Sequence, residues 1–372
     1  MIMADNKDKK VLNVPALRFP EFSREWKRHK LSEICSFYSG GTPSSSKKEF
    51  YNGNIPFIRS GELHKDKTEL FITEDGLNSS AAKLVEIGDL LLALYGATSG
   101  DIAISKIKGA INQAILCIRT KQNKKFIESV WNKHVERLLQ TYLQGGQGNL
   151  SADIVKNIPF YFADLEEQDK LANFISLLDE RISTQNKIIE KLETLIKGIV
   201  ETVISSQKPN TLIKNCLECN SSTLQESQVA ETGTFPVYGA TDISGYTETA
   251  GINGESILII KDGSGVGTVK FVSGEYSYIG TLNSLTAKDG YCLKYIYFAL
   301  QRFSFEPYKT GMAIPHIYFK DYGKAKIYCP SFSLQTLIAQ KLSLIENKME
   351  VEKRIILCYQ LQRSYLLSRM FI

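Results

Sequence analysis

A chain of 372 residues is too long for one ordinary hydrophobic core, and at roughly 100–200 residues per domain it divides into two or three. With 43% hydrophobic and 23% charged residues and no apolar run near the ~20 that span a bilayer, its composition excludes fibrous, disordered and membrane-spanning classes. Seven scattered cysteines exclude a disulfide framework and point to a reducing cytoplasm, while a net charge of +5 is too small to identify a nucleic-acid partner by itself.

Residues 1–14 begin MIMADNKDKK, which lacks the apolar core of a secretion signal and reads as a flexible tail. Residues 15–162 form a first globular segment of short β-branched strands broken by Gly turns, among them NIPFIRSGEL (54–63), VEIGDLLLALYGATSGDIAI (85–104) and AINQAI (110–115). Residues 163–207 form a helix. Asp164 is its N-cap candidate, with Glu167 at capping-box spacing, and Lys208-Pro209 stops it. Apolar residues at 171, 175, 178, 182, 189, 192, 196, 199 and 203 follow the steps of four and three that mark a coiled-coil seam, interrupted at Gln185.

Residues 208–330 form a second globular segment that echoes the first. TFPVYGATDISGY (234–246) parallels NIPFIRSGEL, GINGESILIIKDGSGVGTVKF (251–271) parallels 85–104, and TLNSLT (281–286) parallels AINQAI. Residues 331–372 form a second helix, with Ser331 as N-cap and a seam through Ile338, Leu342, Ile345, Met349, Ile356, Tyr359, Leu366 and Met370. Glu352 and Arg363 interrupt that seam.

The two helices are copies. EEQDKLANFISLLDERI (166–182) lies over SLQTLIAQKLSLIENKM (333–349) at a shift of 167, matching Gln168/Gln335, Ala172/Ala339, Ser176/Ser343 and Leu177/Leu344. Residues 163–207 carry nine acidic and five basic side chains, and 331–372 three acidic and six basic. A long helix with one apolar seam needs a partner, and equal length, equal period and opposite charge make the other copy the economical choice. If the helices run antiparallel with full overlap, Gln185 faces Glu352 at the centre as a polar pair that fixes register. Parallel pairing, and two interruptions that are simply solvated, are the open alternatives. Phe174, Ile188 and Leu195 widen the first helix's stripe beyond a two-helix seam, so either the chain's own domains or another subunit docks there. The fold expected is mixed α/β, ordered domain, helix, domain, helix, with pseudo-twofold symmetry.

In order and spacing, PALRFPEF, EWKRHKLSEI, SGGTPS, NIPFIRSGEL, GGQGNLS and the EEQDKLANFISLLDERI helix, with FPVYGATDISGY in a second variable domain, resemble the specificity subunit of type I restriction-modification systems. The resemblance covers nearly the full length past the tail. It implies two target-recognition domains, each reading half of a split double-stranded DNA sequence, joined by two long antiparallel coiled-coil helices that set their spacing. The helices would also dock two modification subunits, which carry the adenine methyltransferase chemistry and the S-adenosylmethionine. Restriction subunits, which are ATP-dependent translocases and nucleases, can join. On this reading the chain is not an enzyme and needs no cofactor or metal.

Two other classes compete. An autonomous adenine methyltransferase is suggested by NIPF at 54–57 and 157–160, which resembles an N-P-P-F/Y loop, and by GSGVG (263–267). Ile replaces the first proline of that loop, however, and 157–160 leads straight into a helix cap. GSGVG continues into the strand TVKFV and not into a phosphate-binding helix. A single C-x-x-C, Cys216 and Cys219, has no second pair to complete a zinc site. The third class is a coiled-coil adaptor for other proteins.

DNA contacts would come from polar loops. In the first domain, Thr42, Ser44 and Lys47 of GGTPSSSKK suit phosphates, and Arg59 could fork onto a guanine edge. Tyr95, Thr98 and Ser99 lie in a Gly-flanked turn, and Gln147 and Asn149 offer amides to adenine. In the second domain the candidates are Tyr238, Thr241, Tyr246, Lys261, Ser264, Lys309 and His316. Residues 208–330 carry equal numbers of acidic and basic side chains, so they gain little from counterion release, and specific binding is expected only alongside the modification subunits.

Overall fold

The computed structural model describes residues 12–143 and 149–372. These fall into two compact units, one running to Thr184 and adding Ile356–Ile372, the other spanning Gln185–Ile355. The division cuts both long helices and so differs from the segment boundaries read from sequence. The physical reason is burial: each globular domain closes its core over part of both helices.

In the first unit, Cys35–Ser39, Ile115–Thr120, Leu90–Ala93 and Ile102–Ile104 form an antiparallel four-stranded sheet in that order. A second sheet orders Phe71–Ile72, Tyr51–Ile58, Gly109–Ile111 and Lys83–Val85, with one parallel pairing, Phe57 opposite Ala110. The helix Lys124–Leu143 buries Phe126, Val130 and Trp131 in the same core as Leu171, Ile175 and Leu178 of the first long helix and Leu366, Met370 and Phe371 at the end of the chain. The start of one long helix therefore packs beside the end of the other.

In the second unit, a six-stranded sheet orders Leu217–Ser221, Leu282–Ala287, Ile252–Ile260, Val269–Tyr278, Phe235–Tyr238 and Ile243–Thr247. Its one parallel pairing sets Val237 opposite Ser277. NIPFIRSGEL and TFPVYGATDISGY thus supply the same element, the parallel strand of each sheet. Here Val200 and Ile204 meet Ile338, Ala339 and Leu342, so the end of the first long helix lies against the start of the second. Both units give the antiparallel arrangement.

The first long helix runs Leu165–Val200 and closes with a π-turn, Glu201–Ser205; the second runs Phe332–Met370. At 36 and 39 residues they are about 54 and 58 Å long. Gln185 and Glu352 are buried and bonded to each other, Nε2 of Gln185 donating to the Glu352 carboxylate. Neither interruption is a solvated break. Arg363 is accounted for as well, its Nε donating to Asp179 Oδ1 at 2.5 Å.

The capping box is not formed as expected. Glu167 is buried and accepts from Arg18 Nε and Nη2, both at 2.7 Å, and from Trp26 Nε1 at 3.1 Å, while Asp164 pairs with Arg24. The segment before the first strand competes for these carboxylates and wins because it brings two guanidinium groups. Phe174 is likewise claimed within the chain, packing edge-on against Phe19 with ring centroids 5.9 Å apart. Among the described residues no helix is long and apolar enough to cross a membrane.

Candidate nucleic-acid interface

Each unit builds the same loop scaffold, residue for residue at a shift of 167. In the first, Gly100 donates to Ala93 O (2.8 Å), Ala93 to Asp101 O (2.8 Å), Leu94 to Ala114 O (2.8 Å) and Leu150 to Leu94 O (3.0 Å). In the second, Gly267 donates to Ile260 O (2.9 Å), Ile260 to Thr268 O (3.0 Å), Lys261 to Thr281 O (3.0 Å) and Ile317 to Lys261 O (2.9 Å). Gly100 and Gly267 both take left-handed backbone, φ 88° and 92°, and a Cβ on either would come within 2.9 Å of Val135 or Phe305. Only glycine turns the chain in that space. These bonds also correct the register of the echo: Ala114 matches Thr281, so the counterpart of TLNSLT begins four residues after the start of AINQAI.

The identical glutamines of the two helices fasten each helix to its own domain. Gln168 donates to Ala163 O (2.7 Å) and accepts from the Asn123 amide (3.2 Å); Gln335 donates to Pro330 O (2.9 Å) and accepts from the Cys292 amide (3.0 Å). A second fastening pairs a domain lysine with a helix carboxylate, Lys125 with Asp179 at 2.6 Å and Lys294 with Glu346 at 2.8 Å. Burial opposes the charge on Asp179, but Arg363 and Lys125 outweigh it and hold this carboxyl below its usual range. Each domain is thus tied to the helix segments of its own unit.

In the second unit the fold unites candidates from distant stretches. His316 Nδ1 meets Asp262 Oδ1 at 2.7 Å, Gly263 donates to Pro315 O at 3.0 Å, and Thr310 and His316 exchange backbone bonds at 2.9 and 2.8 Å. Lys261, Ser264, Lys309 and His316 thus belong to two loops stitched together. Ser264 is exposed, Lys261 lies 3.8 Å from Asp262, and Lys309 pairs with Glu306 at 2.5 Å. Tyr238 joins from the neighbouring strand, its carbonyl accepting from Ile279 at 3.0 Å, two residues before Thr281. Lys270 sits 4.7 Å over the Tyr238 ring and pairs with Asp242. Thr241 is exposed in the adjoining turn, and Tyr246 is half-buried and backbone-bonded to Ala230.

In the first unit, Tyr95 is 38% exposed, and the bond from Leu150 to Leu94 brings Asn149 beside the turn that holds Tyr95 and Thr98. Gln147 lies outside the described residues. Ser99 is tied back, its hydroxyl donating to Leu94 O at 2.9 Å, so it shapes the turn. Thr42 reaches the same neighbourhood through Gln113, at 2.5 Å, next to Ala114. Ser44 bonds Ser46 at 2.8 Å, and Lys47 lies 4.9 Å over the Phe50 ring.

Arg59 is engaged within its own domain. Its guanidinium is held by Glu62 at 3.1 Å and Glu69 at 2.9 Å, and Glu62 is buried. Burial works against the Glu62 charge, yet bonds from Arg59, the Glu69 amide and Thr68 bring its pKa down to about 2. Leaving that carboxylate unpaired would be costly, so the pairing with Arg59 supports the fold.

Sequence reasoning missed Ser222–Leu224, whose Leu224 carbonyl accepts from Gly280 at 2.8 Å, beside Thr281 as Thr42 and Gln113 sit beside Ala114. Aligning Cys35–Ser39 with Leu217–Ser221, which pair with equivalent strands, would have found it. It also missed Asp262, the anchor of His316. The methyltransferase motifs become ordinary structure. NIPF at 54–57 is interior to a strand, Asn157 ends the short helix Ala152–Asn157, and GSGVG turns between the strands Ile252–Ile260 and Val269–Tyr278. Among the described residues no cluster of His, Cys, Asp or Glu could hold a metal ion.

On the widened stripe of the first long helix, Ile188 is half-buried and Leu195 is 49% exposed. Further apolar side chains stand out from the same helices: Leu177 on the first, Leu344, Val351, Leu357 and Leu361 on the second.

Fold and loops define a duplicated α/β protein, each copy presenting one loop cluster and each fastened to paired long helices. The chain belongs to the family of the type I restriction modification DNA specificity domain, whose model matches residues 23–194 and again 215–357. Over 187 residues it is 28% identical to the specificity subunit of the type I restriction enzyme EcoR124I/EcoR124II of Escherichia coli, covering 47% of this chain and 45% of the relative. Over 216 residues it is 24% identical to the MjaVIII specificity subunit of Methanocaldococcus jannaschii, covering 55% and 47%. The chain thus spans less than half the length of these curated relatives. The crystal structure of a type I restriction-modification system S subunit from M. genitalium shares its fold, with a TM-score of 0.68 and 18% identity over 96% of this chain and 99% of that one.

Proposed function

We propose that this chain is the DNA-reading, non-catalytic subunit of a type I restriction-modification complex. Each domain reads one half of a bipartite double-stranded target, and the paired helices fix the unread gap between the halves. The observation that carries this reading is the loop scaffold built twice at a shift of 167, each copy fastened to the helices by a buried glutamine, Gln168 or Gln335. Two copies of one reader suit a split sequence better than they suit one active site.

The partners proposed are two modification subunits, docking on the exposed apolar residues of the helices, and restriction subunits in the complete complex. Methyl transfer and its S-adenosylmethionine belong to the modification subunits. In this chain the two motifs that suggested such chemistry are strands and a hairpin turn. Exchanging residues 208–330 for those of a relative, and sequencing the methylated DNA made by the reconstituted complex, tests the reading. One half of the target should change while the other half and the gap persist; a change in both halves, or in neither, refutes it.

A further inference from the structure

The loop from Thr310 to Ile314 is exposed throughout, and it carries two large apolar side chains, Met312 at 104% exposure and Ile314 at 59%. Isolated exposed apolar residues are ordinary, but these stand two residues apart on a loop pinned at its base. The pins are the Thr310 and His316 backbone pair, the Gly263 bond to Pro315, the Asp262 carboxylate on His316, and Gly311 in left-handed backbone at φ 87°. A pinned loop loses little conformational freedom on binding. Its rim is polar and partly basic, with Lys261, Ser264 and Thr310. With Asp262 engaging Nδ1 of His316, Nε2 is the ring nitrogen left to meet a base edge.

A loop that mixes hydrogen-bonding groups with projecting apolar side chains matches one groove of DNA. The major groove sets the thymine methyl beside base acceptors and amines, and the minor groove offers no methyl. We propose that Met312 and Ile314 are specificity-determining residues that contact thymine methyl groups in the half-site read by the second domain. This rests on the DNA-reading function proposed above. The reading is confined to one half-site, because the residues 167 positions earlier in the sequence are Gly145 and Gln147, which lie outside the described residues and carry no comparable apolar side chain.

The test uses the full chain with its modification subunits and a duplex whose target is first established by methylation sequencing. Each thymine of each half-site is replaced in turn by deoxyuridine, which removes only the methyl. In the half-site that changes when residues 208–330 are exchanged, at least one replacement should weaken binding about fourfold, the loss expected for one buried methyl. Met312→Ala with Ile314→Ala should bind the thymine and uracil duplexes alike, keep its preference at the other half-site, and keep its unfolding midpoint. The proposal is overturned if that half-site contains no thymine on either strand, if the wild-type complex ignores the methyls, or if the double variant retains wild-type sensitivity. Failure of the wild-type complex to prefer its own target would instead remove the DNA-reading function beneath it. The deoxyuridine arm needs no variant, so a misfolded variant does not hide the answer.

Discussion

Gln185 and Glu352, equivalent residues of the two helix copies, bond to each other across the seam between the helices. Both residues belong to the second unit, where the end of the first long helix lies against the start of the second, so the pair meets inside that antiparallel seam. Lys348 also contacts the Glu352 carboxylate, and Lys348 and Gln185 together draw that carboxyl below its usual range. Gln185→Leu removes the amide and leaves the Glu352 carboxylate with Lys348 alone, which should lower the urea unfolding midpoint. The double variant Gln185→Leu with Glu352→Leu should recover most of that loss, since an apolar pair fits an apolar seam. A double variant no more stable than the single one would refute this account of the pair.

This pair was legible in the sequence because repeats leave two records of one constraint. The 167-residue shift, the break in the seam and the copied glutamines can all be read by overlaying two strings, and helical periodicity makes the long helices plain. The loop clusters were half legible. Lys261 and His316 were separately suspected, but their union depends on the Asp262 contact and on the hydrogen bonds of Lys261 and Gly263, which no local pattern announces. Arg59 shows the same limit at short range. Its partner Glu62 is only three residues away, yet what commits the arginine is the burial of that carboxylate, a tertiary fact. Phe174 sits on a flank that periodicity alone cannot assign to a partner or to the chain's own Phe19.

Acid should loosen the first unit through Glu62. Its folded pKa of about 2 lies below the ordinary carboxylate value, so it contributes stability that is fully present above the unfolded pKa and is lost as pH falls from about 5 toward 2. Glu62→Gln removes that proton-linked contribution. The variant should unfold earlier at pH 7 and show a flatter dependence between pH 5 and 3 than the wild type. Parallel wild-type and variant curves across that window would exclude Glu62 as the source.

The flank of the first long helix on which docking is proposed carries two kinds of residue. Leu195 is half exposed, whereas Phe174 lies against Phe19. Leu195→Ser with Leu344→Ser should therefore leave the unfolding midpoint within about 0.5 kcal/mol of wild type while reducing co-purification of the modification subunits. Phe174→Ser should do the reverse first, costing about 2–3 kcal/mol through lost ring packing. Retention of the modification subunits at wild-type level by the Leu195 and Leu344 variant would place the docking surface elsewhere.

If the helices act as a ruler, their length sets the unread gap. Seven residues added between Ser183 and Lys187, matched by seven between Glu350 and Arg354, preserve the heptad phase of both seams and lengthen each helix by about 10 Å. At about 34–36 Å per turn of B-DNA, that corresponds to roughly three base pairs. Methylation sequencing of DNA modified by the extended complex should return the same bases in both half-sites with the gap longer by about three. An insertion in one helix alone leaves its seven extra residues without a partner, and should destabilise the chain without yielding a new target. A fully active extended complex that still methylates at the original gap would show that the spacing is fixed by something other than these helices.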